Sequence, residues 1–309
     1  EVNMTILAWI LLAFMLGLLV GLGLYVVIGA GIYHTIFARK GRVKKSIERK
    51  KNSQEEIDFW SKHHFKDVMI TSYDGLKLRG KFLDNGSNCV AFLVHGYGGN
   101  YVDMAKYADI FLKRGLDVLA VDNRAHGTSE GDYVGMGWID RLDVIKWCEF
   151  IAKEKPYSKV LLFGQSMGAS AVCMASCEKL DCHVVGIIED CGFDNTFKEV
   201  SHIYQKGKLH TKFFLNLFTS YANRKNGYDM RQADAIRQLK KTNLPILIIH
   251  GSEDDFVPTK MAYNIYNSLD EPRRNIYIAN GAKHTESYDV DKKKYIKEIN
   301  KFLDKEHIC

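Results

Sequence analysis

Charged residues are absent from the first part of the chain, where no Asp, Glu, Lys or Arg occurs between Val2 and Ala38. A helix needs about 20 apolar residues to cross the hydrocarbon core of a bilayer, and this run is longer. A secretory signal peptide has a shorter apolar region of about 7–15 residues behind a basic start. The sequence therefore predicts an uncleaved transmembrane helix. Its extra length implies tilt, or an interfacial part near Tyr33, His34 and Phe37.

The chain also has little proline and an odd number of cysteines. Only 4 residues are Pro, and with 25 Gly among 309 residues the composition is not that of a low-complexity or collagen-like chain. The 7 Cys residues are odd in number and form no CxxC pair. This pattern disfavours a disulfide framework and a structural zinc site. We therefore expect buried, reduced thiols and a reducing compartment.

Positive charge is concentrated in one short segment. The chain carries 43 Lys+Arg against 37 Asp+Glu, a net charge of +6. The block from Arg39 to Lys51 alone carries +7, and Glu1 carries −1, so residues 52–309 are neutral as a whole. A nucleic-acid-binding domain needs its own basic face, so we predict no nucleic-acid partner. We interpret the block as a contact for membrane lipid headgroups.

The place of the basic block predicts the orientation of the chain. Basic loops stay on the cytoplasmic side of a membrane helix, so the N-terminus lies outside and the globular part in the cytoplasm. Gly17 and Gly21 form one GxxxG, a spacing that lets membrane helices dimerise but that also arises by chance. The expected domains are a transmembrane anchor (1–38), a basic juxtamembrane stalk (39–64) and a globular domain (65–309).

Beyond the stalk, strand-like and helix-like segments alternate. A turn signal at 73–75 predicts an opening β-hairpin. Short continuous apolar runs, such as Cys89–Val94, are typical of strands buried on both faces. The interval 196–242 has no strand-like run and is interpreted as a helical cap over the carboxyl ends of the strands, where such sheets bind ligands. The predicted fold is α/β, with a mostly parallel sheet and helices on both faces.

One strand-to-helix junction carries a motif for nucleophilic catalysis. The predicted strand at 159–163 runs into the sequence GQSMG at 164–168, and a helix pattern follows. In a G-x-S-x-G elbow of this kind, a sharp turn lifts the serine hydroxyl clear of the sheet. Side chains two residues to either side would collide in the turn, and Gly164 and Gly168 remove them. We predict that Ser166 is a nucleophile.

A serine nucleophile needs an adjacent base, and the base needs a carboxylate to orient it. Among the 11 histidines, His284 is the best candidate, because it lies in a loop between a late strand and the last helix. His126 is its main competitor. Asp254 and Asp255 both follow the predicted strand at 245–249. Adjacent side chains usually point apart, so only one of the two can face the histidine.

With these motifs the sequence resembles the α/β-hydrolase superfamily over residues 65–305, whose members have the chain order Ser, Asp, His. It looks most like cap-bearing, membrane-anchored bacterial serine hydrolases of the acylglycerol-lipase-like and peptidase-like branches. The matching segments are HGYGG (95–99), DNRAHGTS (122–129), GQSMG (164–168), HGSED (250–254) and GAKH (281–284). The resemblance implies that Asp254 is the acid, and that the backbone N–H groups of Tyr97 and Met167 form the oxyanion hole. The family usually has glycine where this chain has Ala125.

The resemblance implies a serine hydrolase of the carboxylesterase or lipase class that acts through an acyl-enzyme without metal or organic cofactor. Aromatic residues of the cap, among them Phe197, Phe218 and Tyr221, could line an acyl pocket. With the anchor, they favour a lipid-like or acyl-ester substrate. The alternatives are an aminopeptidase-like or thioesterase activity of the same residues, and a membrane-tethered binding protein that kept the fold without catalysis.

Overall fold

The structure is a computed structural model that describes residues 2–39, 52–206 and 212–309. Most of the basic block, from Lys40 to Lys51, lies outside these ranges. Its contact with lipid headgroups therefore stays a prediction, as does the division of the chain into anchor, stalk and globular domain.

An eight-stranded sheet forms the centre of the globular part, in the order β1-β2-β4-β3-β5-β6-β7-β8. Strand β2 pairs antiparallel with both β1 and β4, and all other neighbours are parallel. The strands are β1 (Lys66–Thr71), β2 (Lys77–Leu83), β3 (Cys89–Val94), β4 (Asp117–Val121), β5 (Lys159–Gln165), β6 (His183–Asp190), β7 (Ile246–Gly251) and β8 (Arg274–Ala279). The predicted fold class is confirmed by this topology.

Helices cover both faces of the sheet, and four helical segments are inserted between β6 and β7. The α-helices are α1 (Val2–Phe37), α2 (Gln54–Lys62), α3 (Ala105–Lys113), α4 (Asp140–Glu154), α5 (Met167–Ala175), α6 (Thr196–Lys206), α7 (Lys212–Asn226), α8 (Ala235–Leu239), α9 (Lys260–Asn267), α10 (Ser287–Val290) and α11 (Lys292–Lys305). Short 3₁₀ turns span Tyr101–Met104 and Met230–Gln232.

The core lies on both faces of the central strands. All six residues of β3 are buried, so its sequence is continuously apolar. Because successive side chains of a strand point to opposite faces, Phe92 packs in the core that contains Trp147, whereas Leu93 packs in the core that contains Tyr107. A parallel strand covered by helices on both sides needs this composition.

Within the predicted cap, the segment 230–239 is not one continuous helix but a 3₁₀ turn followed by the five-residue helix α8. The side chain of Asp229 accepts a hydrogen bond from the backbone N–H of Arg231, and that of Asp234 accepts one from the N–H of Arg237. Each aspartate therefore caps the start of a separate helical segment. The apolar periodicity of the sequence alone does not reveal the break between the two segments.

Helix α1 has two parts with different environments. The 21 residues from 4 to 24 are all exposed. At about 1.5 Å per residue they span about 32 Å, which matches a hydrocarbon core of about 30 Å. From Tyr25 onward one side of the helix is buried at every third or fourth position. By length and composition α1 can span a membrane, and its orientation stays a prediction.

The second part of α1 packs on the cap helix α7. A Cβ at Gly29 would lie 2.7 Å from the Cβ of Tyr221, so the two backbones approach closely there. The hydroxyl of Tyr33 donates a hydrogen bond to Asn226 Oδ1 at 2.6 Å, and Phe37 is fully buried. Of the three residues near which an interfacial part was predicted, Tyr33 and Phe37 lie inside the protein, whereas His34 is exposed.

Residues on either side of the segment 40–51, which lies outside the described ranges, also contact the globular domain. The guanidinium of Arg39 donates hydrogen bonds to the carbonyl oxygens of Ser129 and Gly127, both at 2.7 Å. In the predicted stalk, Trp60 is only 8% exposed, and its indole N–H donates to the carbonyl of Val102 at 3.2 Å. The described ends of the stalk are thus docked on the domain.

Cys89 and Cys309 form a disulfide with Cα atoms 5.9 Å apart, and the other five cysteines are free. The five free cysteines, of which four are buried, agree with the expectation of buried, reduced thiols, and this pair is an exception. No local signal predicts it, because the partners are 220 residues apart and meet only when the segment after α11 returns to the start of β3. Disulfides are typical of oxidising compartments, so this pair argues against the predicted cytoplasmic placement.

We expect Cys309→Ser to lower the free energy of unfolding by about 2–4 kcal/mol under oxidising conditions, because the cross-link restricts the unfolded chain. Urea unfolding of the detergent-solubilised full chain measures this. With excess reductant, the variant and the wild type should unfold together. Equal stability without reductant would show that the disulfide contributes nothing.

Candidate active site

The junction between β5 and α5 has the geometry of a nucleophile elbow. Ser166 has φ of 53° and ψ of −120°, a conformation that few non-glycine residues adopt. Its backbone N–H donates a hydrogen bond to the carbonyl of Asp190 at the end of β6, at 2.7 Å. The strained turn is therefore tied to the neighbouring strand.

The two glycines of the motif are required by close backbone contacts. A Cβ at Gly164 would lie 2.4 Å from the carbonyl oxygen of Gly168. A Cβ at Gly168 would lie 2.2 Å from the carbonyl oxygen of Val94, at the end of β3. Any side chain at either position would push the turn away from the sheet, as the sequence argument expected.

The structure brings the three predicted side chains into one chain of hydrogen bonds. The hydroxyl oxygen of Ser166 lies 2.9 Å from Nε2 of His284. On the other side of the ring, Nδ1 of His284 lies 2.7 Å from Oδ2 of Asp254. The three residues come from loops after β5, β7 and β8, which meet at the carboxyl edge of the sheet. A serine whose proton a histidine can take, with a carboxylate behind that histidine, can act as a nucleophile.

Asp254, and not Asp255, faces the histidine. Burial alone would raise the pKa of Asp254, but hydrogen bonds from His250 and His284 outweigh it and hold this pKa well below its ordinary value. Its other oxygen accepts backbone N–H bonds from Phe256 and Val257 at 3.0 and 2.9 Å. The side chain of Asp255 is 82% exposed and pairs with a lysine on α6.

The competing histidine, His126, supports the loop after β3. Its Nε2 accepts a hydrogen bond from the backbone N–H of Gly98 at 3.0 Å, and its Nδ1 lies 2.8 Å from the carbonyl of Arg124. Burial lowers the pKa of His126 to about 3, so the ring stays neutral. It holds the loop that carries Tyr97 and has no contact with Ser166 among the hydrogen bonds of the described residues.

The positions predicted for the oxyanion hole lie beside the serine. Tyr97 and Met167 line the same cavity as Ser166. A Cβ at Gly96 would lie 3.1 Å from that of Ser166, so a larger residue there would crowd the hydroxyl. Ala125 has a positive φ of 61°, a conformation that glycine adopts without steric cost. This explains why the family that the sequence resembles usually has glycine at this position.

Comparisons with known proteins agree with this geometry. A family model described as "Serine aminopeptidase, S33" matches residues 87–191. The esterase Pf2001 of Pyrococcus furiosus superposes with a TM-score of 0.68 and 21% identity, covering 83% of this chain and 95% of its own. The chain therefore has the α/β-hydrolase fold.

Further similar proteins include a second esterase structure and two sequence relatives, one of which aligns with most of the chain. The esterase EaEST of Exiguobacterium antarcticum has a TM-score of 0.58 at 18% identity, covering 77% of this chain and 99% of its own. YqkD of Bacillus subtilis is 24% identical over 284 residues, which are 90% of this chain and 93% of YqkD. YfhR of Escherichia coli K12 is 25% identical, covering 72% and 74%. These identities support the α/β-hydrolase fold and do not identify a substrate.

The cavity beside Ser166 is mostly apolar. Apolar walls come from the anchor helix, the cap and the loops: Ile36, Met136, Phe193, Val200, Ile203 and Phe256. The cap aromatics Phe218 and Tyr221 pack against α1 instead of lining the cavity. The carbonyl of Ile36 accepts a hydrogen bond from the Tyr97 hydroxyl at 2.6 Å, which links α1 to the loop after β3.

Glu199 also lines the cavity of the hydrolase, and the sequence analysis did not single it out. It lies on α6 and is only 2% exposed. Burial, with smaller contributions from Asp254 and Asp194, raises the pKa of its carboxyl to about 8. An acidic residue inside an amphipathic helix is usually exposed, so only the packing of the cap identifies this one.

One group of side chains in the hydrolase site has the composition of a metal site. Ligand atoms of Cys191, Asp254 and His284 lie within 4.8 Å of one another. Metal binding needs a thiolate, and burial raises the pKa of the Cys191 thiol well above its ordinary value. Asp254 and His284 already bind each other. The donor set therefore fits a hydrogen-bonded active site better than a metal site.

We expect Asp254→Asn to slow the reaction of Ser166 with a fluorophosphonate by roughly 10³–10⁴-fold, because the amide cannot stabilise the charged imidazole. The rate of labelling of the full chain by a fluorescent probe measures this. Asp255→Asn, its matched neighbour, should label at nearly the wild-type rate. Equal losses in both variants would contradict the assignment of Asp254.

Glu199→Gln should remove part of the pH dependence of stability. The ordinary pKa of Glu is 4.5, and in the folded state that of Glu199 is about 8. Its contribution to stability is present below pH 4.5 and is lost as pH rises through 8, because the unfolded carboxyl ionises first. Melting temperatures at pH 5 and pH 9 should differ less in the variant than in the wild type. An unchanged difference would contradict the raised pKa.

Proposed function

We propose that the protein is a serine hydrolase that cleaves carboxylic esters with an apolar acyl part. The observation that carries this proposal is the hydrogen-bond chain from Ser166 through His284 to Asp254, at the wall of a mostly apolar cavity. The chemistry is acyl transfer to water.

In the proposed mechanism, Ser166 attacks the ester carbonyl while Nε2 of His284 takes its proton. The same imidazolium then gives that proton to the departing alcohol, which leaves an acyl-enzyme. A water molecule activated by His284 releases the acid and restores the serine. Asp254 holds the ring in the correct tautomer and stabilises its charged form throughout.

Backbone N–H groups of Tyr97 and Met167 are proposed to stabilise the negative charge on the carbonyl oxygen. Fixed dipoles of this kind need no reorganisation as the charge develops, and each contributes about 3–4 kcal/mol in related sites. The start of α5 adds the positive end of a helix dipole beside Ser166.

The cavity walls and helix α1 support a lipid-like substrate. Ile36, near the end of α1, forms part of the cavity wall. It lies 12 residues beyond the exposed apolar stretch that ends at Leu24, which is about 18 Å along a helix. If that stretch lies in a bilayer, the site lies close to the membrane surface, where esters with long acyl chains partition.

The comparisons bear on which type of bond the protein cleaves. Structures described as esterases support ester cleavage. The family model described as a serine aminopeptidase favours a second candidate, amide cleavage by the same three residues. Thioester cleavage uses the same chemistry and stays an alternative within this class.

Two measurements on the full chain in detergent test the function. Fluorophosphonate should label the wild type and Ser61→Ala but not Ser166→Ala, because only Ser166 has an activated hydroxyl. p-Nitrophenyl esters of increasing acyl length should turn over, with a preference for longer chains, while aminoacyl p-nitroanilides should not. Labelling that survives Ser166→Ala would overturn the nucleophile. Turnover of the anilides alone would replace the esterase by the peptidase.

A further inference from the structure

Glu199 lies in the catalytic cavity with an unsatisfied carboxyl group. Both of its side-chain oxygens are buried and have no hydrogen-bond partner among the residues that the structure describes. A buried polar group without a hydrogen-bond partner is energetically unfavourable. Since this carboxyl lines a cavity that contains Ser166, a bound molecule can supply the missing partner.

We infer that Glu199 binds a free hydroxyl on the alcohol part of the substrate ester. The inference rests on the proposed ester hydrolysis at the same site. It assigns a specificity-determining residue for esters whose alcohol part carries a free hydroxyl group.

The other side chains of the cavity leave this role to Glu199. Most of the lining is apolar, and Ser166 is engaged with His284. The hydroxyl of Tyr97 already donates to the carbonyl of Ile36. An acyl chain matches the apolar walls, so the single carboxyl matches the more polar alcohol part of the ester.

The charges around Glu199 disfavour the ionised form of its carboxyl group. The carboxylates of Asp254 and Asp194 oppose its ionisation, and His250 and Lys206 favour it only weakly. Lys206 is paired with Asp255, and His250 is bonded to the Val257 carbonyl and to Asp254.

Because burial dominates, the carboxyl stays protonated near pH 7. A carboxylic acid both donates and accepts a hydrogen bond, and a hydroxyl does the same. Binding of an ammonium group would require the ionised form, whose burial is costly. A hydroxyl is therefore the better match for this group than an amine.

Three dodecanoate esters with alcohol parts of similar size test the inference on the full chain: 1-monododecanoylglycerol, propyl dodecanoate and 2-aminoethyl dodecanoate. We expect wild-type kcat/KM to be about 10-fold higher for the glycerol ester than for the propyl ester, as one buried hydrogen bond allows. Glu199→Gln retains a donor and an acceptor, so it should keep most of this ratio. Glu199→Leu should reduce the ratio to about 1.

Gln205→Leu, an exposed change on the same helix, should leave the wild-type ratio in place. Labelling of every variant by fluorophosphonate separates a failure of this inference from a failure of the proposed hydrolase. A ratio that Glu199→Leu does not change would overturn the inference. So would a preference for the aminoethyl ester that Glu199→Gln abolishes, because that result would identify an ionised carboxylate that binds an amine.

Discussion

The active site depends on one strained backbone conformation, the positive φ of Ser166. The turn is held from three sides. Gly164 and Gly168 allow the contacts that form it, and the carbonyl of Asp190 accepts the Ser166 N–H. The side chain of Asp190 is in turn held beneath the elbow by the hydroxyls of Tyr107 and Tyr295. A residue in a rare conformation persists only when its surroundings over-determine it, and here the parallel sheet supplies those surroundings.

Much of the fold follows from local pattern. The boundaries of β3 agree with the apolar run that predicts it, and the GQSMG motif locates the elbow because close backbone contacts require its two glycines. Asp254 and Asp255 could not be separated from their own chemistry, and the resemblance favoured Asp254. In the structure, the Asp254 carboxylate accepts two backbone N–H bonds, and these orient it toward His284.

The features that the sequence did not reveal all arise from contacts between distant segments. Cys309 meets Cys89 only after the sheet has formed. Glu199 lies on an ordinary amphipathic helix, and its burial depends on where the cap rests. The second part of α1 also lacks Asp, Glu, Lys and Arg, so the absence of charge does not distinguish it from the exposed first part. Aromatic residues of the cap were expected to line an acyl pocket, but Phe218 and Tyr221 contact helix α1 instead.

The division of α1 into an exposed and a packed part has a consequence for how the chain tolerates change over evolution. Residues 4–24 need only be apolar and long enough, so their identities are free to drift. Gly29, Tyr33 and Phe37 face defined neighbours, and they are subject to the same selection as an enzyme core. If residues 4–24 anchor the chain in a membrane, an unrelated apolar helix would restore attachment but not the cavity wall at Ile36. The last third of α1 is thus part of the folded domain, and the first two-thirds is not.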